Sequence, residues 1–145
     1  MKALILRSAL TAFACAGALA LASPSMAATV SLKATMTSAT EVPPNDSKGT
    51  GTLTATYDDA SKKLTWKGST SGLSGPATAA HFHGPAEAGK NAGVAVPITG
   101  ADQASFEGSA TLTNAQAADM MAGRWYVNVH TAANKAGEIR GQLTK

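Results

Sequence analysis

Cysteine is nearly absent: the one present, Cys15, lies in an apolar stretch near the start. From residue 28 onward there is no thiol, which excludes disulfide staples, thiol nucleophiles and cysteine metal sites there. Aromatics are few, with two Trp, two Tyr and three Phe in 145 residues, and charged residues make up only 14%. No basic run interleaved with aromatics occurs, so the usual footprint of nucleic-acid binding is missing. Long apolar runs are missing too, except at the beginning. There Met1-Lys2 and Arg7 precede the apolar "SALTAFACAGALALAS" and the small-residue site "SPSMA". This pattern predicts a signal peptide over 1–27, cut after Ala27. Its apolar core is shorter than the roughly 20 residues that a spanning helix needs, so no membrane span is expected after cleavage. Losing Lys2 and Arg7 lowers the formal charge from +3 to +1. The expectation is an exported product, periplasmic or extracellular, with one domain over 28–145.

What is present is alternation. Segments rich in Thr, Ser, Val and Ala set apolar against polar residues with the period of two that marks half-buried strands. Eight are expected: Ala28 to Met36, Gly51 to Asp58, Lys63 to Thr70, Thr78 to Gly84, Gly93 to Ile98, Ser105 to Thr113, Trp125 to Thr131 and Glu138 to Thr144. "YDDASKK" and "TAANKAGE" read as hairpin turns joining the second to the third strand and the last two. Eight short strands with turns between them predict an all-β antiparallel sandwich or barrel. One short helix interrupts the pattern in "TNAQAADMMAG", with Thr113 or Asn114 as cap and Gly123 at its end. Ala115, Ala118 and Met120 or Met121 are expected to face the core. "EVPPN", Glu41 to Asn45, reads as a stiff extended segment that guards a sheet edge.

All three histidines fall in two of the predicted strands. In "AHFHG" the alternation puts His81 and His83 on one face and Phe82 on the other. In "WYVNVHT" it puts Trp125, Val127 and Val129 inward, and Tyr126, Asn128 and His130 on the opposite face. If these two strands are neighbours, the three imidazoles converge. As borderline ligands they suit copper or zinc, with a fourth position left to water or to a carboxylate such as Glu138. The plainer alternative is that each histidine simply hydrogen-bonds a backbone carbonyl at a strand end. Glu138 and Arg140, two apart on the last strand, either border the histidine patch and orient an imidazole or form a cross-strand ion pair. Asn128 is a further candidate to support a ligand.

Taken in order, "ATMTSATEVPP", "AHFHGPAEAGKNAGVAVPI", "GSATLTNAQAADMMAGRWYVNVHT" and "GEIRGQLT" resemble the CHRD domain, a module named after chordin and found in secreted bacterial proteins. The resemblance runs from about Ala34 to Leu143. It implies an immunoglobulin-like β-barrel similar to copper-zinc superoxide dismutases, in which His81 and His83 look like paired strand ligands of copper and His130 like a later one. That enzyme uses more histidines, a second metal and a disulfide, so what carries over is the fold and a single metal site. The resulting expectation is an exported binding module rather than an enzyme, holding copper or zinc at His81, His83 and His130. The alternatives are a copper-dependent redox enzyme resembling superoxide dismutase, and a metal-free module that binds an envelope protein or polysaccharide.

Overall fold

Thr29–Thr37 (β1) alternates exposed threonine, serine and lysine with the buried Leu32, Ala34 and Met36, and the strands that follow repeat the device. Thr50–Asp58 (β2) buries Leu53, Ala55 and Tyr57, and Lys63–Ser71 (β3) buries Leu64 and Trp66. β-Branched threonine suits the solvent side of a strand, while each large apolar side chain removed from water contributes roughly 1.5–3 kcal/mol. The remaining strands are Ala77–His83 (β4), Val94–Ile98 (β5), Ser105–Thr111 (β6), Tyr126–Thr131 (β7) and Ile139–Gln142 (β8). A helix, Asn114–Met121 (α1), lies between β6 and β7. These descriptions come from a computed structural model and cover residues 28–145; the predicted signal peptide lies outside the described residues.

The eight strands form one antiparallel sheet in the order β5-β4-β7-β8-β1-β2-β3-β6, curled into a nearly closed barrel. The expected strand set is present, each strand ending within a few residues of its predicted limits. Both predicted hairpins pair: Tyr57 stands opposite Leu64 across β2 and β3, and Val129 opposite Ile139 across β7 and β8. The pairing that matters for the histidines is β4 with β7, where His81 opposes Asn128 and His83 opposes Tyr126. Phe82 between the histidines is fully buried, edge-on to Trp66 at 5.2 Å and tilted against Trp125 at 5.9 Å. That apolar anchor fixes which way the two imidazoles face.

Two local readings change. In α1 the buried residues are Ala117 and Met120, while Ala115 and Ala118 are exposed. The phase is set by the capping box of Thr113 with Gln116, and Gln116 also donates to the carbonyl of Ala95 on β5. The segment after β1 guards no edge, because the edges belong to β5 and β6. Instead Glu41 to Asn45 lies against the β7–β8 turn, lining a hollow of about 250 Å³ with Ala133 to Gly137.

Candidate metal centre

Successive residues on a strand face opposite sides, so His81 and His83 share a face of β4, and His130 on β7 stands diagonally across from His81. Their ring centroids lie 5.4 Å apart for His81 and His83, 5.1 Å for His81 and His130, and 6.4 Å for His83 and His130. One nitrogen from each ring lies within 4.8 Å of the others, a buried or half-buried cluster that could hold a metal ion. Bonds of about 2.0–2.1 Å to an ion require the nitrogens to draw closer than that upper limit. His81 and His130, both partly exposed, have the room to swing.

Backbone carbonyls fix the tautomers. His83 Nδ1 lies 3.0 Å from the Ala92 carbonyl, and His130 Nδ1 lies 2.9 Å from that of Lys135. A carbonyl only accepts, so in each neutral ring Nδ1 carries the proton and Nε2 keeps a bare lone pair. For His83 that Nε2 is buried and has no hydrogen-bond partner. Burying such an atom unpaired costs about 1–3 kcal/mol, and an ion would repay that cost. His130 Nε2 contacts His81 Nδ1 at 3.2 Å, a separation that a shared proton or a shared cation satisfies. Burial, then the neighbouring His130 and His83, push the His81 pKa down; burial does the same for His83 and outweighs its carbonyl contact. Neutral imidazoles are the form that ligates a metal. The donor set therefore fits an ion that accepts three nitrogens.

The face carrying these rings is covered, not open. Tyr126 and Asn128 are both buried, although alternation alone would leave them exposed. Tyr126 stacks on His83 with the rings 4.8 Å apart and almost parallel, and the Arg140 guanidinium lies 3.4 Å from the centre of the Tyr126 ring. Arg140 donates to the Lys90 carbonyl at 2.7 Å and to Asn91 Oδ1 at 3.0 Å, so it ties down the loop whose Ala92 carbonyl orients His83. The Asn128 side chain acts on both the Glu41 carboxyl and His83. Glu41 is buried, and burial pushes its carboxyl up against the lowering pull of the Val42 N–H, Asn128 and Arg140.

Glu138 points elsewhere. Its carboxylate accepts from Ser47 Oγ at 2.6 Å, from the Ser74 N–H at 2.7 Å, and from the hydroxyls of Ser74 and Thr131; none of its partners is a histidine. Burial would raise its pKa, but these donors together outweigh burial and hold it at about 2. Two neighbours of the cluster were not singled out in the sequence. Tyr126 was marked by alternation with His130 but carries no metal-binding signature, and Glu41 is a lone acid in an irregular segment with no period to place it.

The model of the CHRD domain family matches residues 32–143. A search of curated proteins and a search of solved structures each gave no match.

Proposed function

The chain belongs to the CHRD domain family, and on that footing we propose that it is an exported, non-enzymatic binding module that holds one copper or zinc ion at His81, His83 and His130. The observation that carries this is the buried, unpartnered Nε2 of His83, aligned by the Ala92 carbonyl and accompanied by two further imidazole nitrogens within 4.8 Å. Three neutral donors on two adjacent strands form a ligand set with rigid support, since Phe82 and the β4–β7 ladder hold the backbone in place. His81, His83 and His130 would bind the ion; Asn128 and Arg140 would keep the rings and the covering loop in position. Export follows from the leader-like sequence over 1–27. Among the described residues no helix is long and apolar enough to cross a membrane.

Calorimetric titration of the chelator-stripped protein with Cu(I), Cu(II) and Zn(II) tests the reading. One equivalent should bind, and His81→Ala combined with His130→Ala should abolish binding while the far-ultraviolet dichroism stays unchanged. Unaltered affinity in that double variant would remove the assignment.

The partial exposure of His81 and His130 favours a second reading, a copper-dependent redox enzyme resembling superoxide dismutase. It requires superoxide turnover by the copper-loaded protein above that of free copper.

A further inference from the structure

The metal-binding reading above leaves the charge of the ion open, and the residues behind His83 bear on it. Three imidazoles contribute no negative charge, and no carboxylate or thiolate belongs to the cluster among the described residues. Behind His83 lies Tyr126, and behind Tyr126 lies the guanidinium of Arg140, itself only 2% exposed. Arginine stays protonated whatever its surroundings. Its two recorded hydrogen-bond acceptors, Asn91 Oδ1 and the Lys90 carbonyl, are neutral. The carboxyl felt across the site is that of Glu41, which lies against Asn128 and Gly137 and which burial biases toward its uncharged form.

A buried cation repels an incoming ion in proportion to that ion's charge. With an effective dielectric of about 20 and a separation of about 10 Å, each added unit of charge on the ion costs about an order of magnitude in affinity. Zinc and Cu(II) favour four or more ligands, commonly with an anionic one to offset their two charges, whereas monovalent copper is satisfied by three neutral nitrogens. We propose that the Arg140–Tyr126–His83 stack makes this a site for monovalent copper, disfavouring divalent ions through the fixed positive charge behind the ligand ring.

The test compares affinities for the two oxidation states. Cu(I) is measured by competition with a chromophoric chelator in the presence of ascorbate without oxygen, and Cu(II) by competition with a chelator in air. In the natural protein Cu(I) should bind more tightly. Arg140→Met should reduce the ratio of Cu(I) to Cu(II) affinity about tenfold. Arg140→Lys keeps the charge without the planar fork and should hold the ratio within about twofold of the starting value. Since Arg140→Met also removes a buried clamp, Asn91→Asp supplies a second route: it sets a carboxylate on the guanidinium without shortening any side chain, and should lower the ratio in the same direction. An unchanged ratio in Arg140→Met and Asn91→Asp overturns the proposal. So does an equal fall in Arg140→Lys, which would assign the effect to loop geometry. Absence of copper binding by the natural protein in either state refutes the metal reading itself, a separate outcome.

Discussion

His83 illustrates how much chemistry a single ring acquires from its neighbours. Its Nδ1 proton is committed to the Ala92 carbonyl, its face to Tyr126, and burial keeps it neutral. Both His83 and His81 are pushed below the ordinary histidine value, so protons compete poorly for the two rings. Metal affinity should therefore stay flat from about pH 8 down through 6.5 and fall only below that. Competition titrations across pH 5–8 check this; a steady loss beginning near pH 7 would contradict the depressed values. The shared face of His81 and His83 was legible in the sequence because alternation is strict on either side of Phe82. The cover over that face was not, since it depends on Arg140 and on a loop from elsewhere in the chain. Burial of Tyr126, Asn128 and Glu41 is a tertiary result with no local signal.

At the scale of elements, threonine-and-apolar alternation reveals the strands, but not which strand lies beside which. β4 and β7 are about 45 residues apart along the chain and pair without a hairpin to announce it. The helix was legible from its cap, while its buried stripe was not: propensity does not reveal phase, and the reach of Gln116 to Ala95 does. The turn after β4 is set by glycine. A Cβ on Gly84 would collide with the Trp125 ring and approach the Arg124 carbonyl at 2.9 Å, and Trp125 is itself packed against Phe82. Gly84→Ala should thus cost about 1–3 kcal/mol, through a displaced ring at the end of the strand that carries both histidines. Gly93, at the other end of the same loop, has nothing within 4 Å of such a Cβ, and Gly93→Ala should change stability by no more than about 0.5 kcal/mol. Urea midpoints of the two variants decide it: equal shifts would mean that crowding by Trp125 does not constrain the turn.

For the whole molecule, strand number and alternation were enough to indicate an antiparallel barrel, whereas the strand order depends on long-range pairings such as β3 with β6. One end of that barrel is fastened through Glu138. Its carboxylate gathers Ser47 from the β1–β2 connection, Ser74 from the β3–β4 connection, Thr131 at the end of β7, and Asn134 from the turn into β8. Four segments distant in sequence thus meet on one charge, and they meet best while it is a carboxylate. Its folded pKa of about 2 lies below the ordinary 4.5. The unfolded chain therefore takes up the proton first as the solution is acidified, and the stabilisation is complete above about pH 4.5 and lost between there and about pH 2. The amount is on the order of 2 kcal/mol. Glu41 acts with the opposite sign, since a raised pKa favours the fold as pH falls, so the total pH profile mixes several groups. The difference between the natural protein and Glu138→Gln isolates this one. At pH 7 the variant should be less stable by about 1–3 kcal/mol, because an amide cannot accept from all of these donors. At pH 3 the gap should narrow, the carboxylate's advantage having begun to disappear. Urea unfolding at both pH values is the check, and a gap that stays constant would mean that Glu138 fastens the barrel through its shape and not its charge.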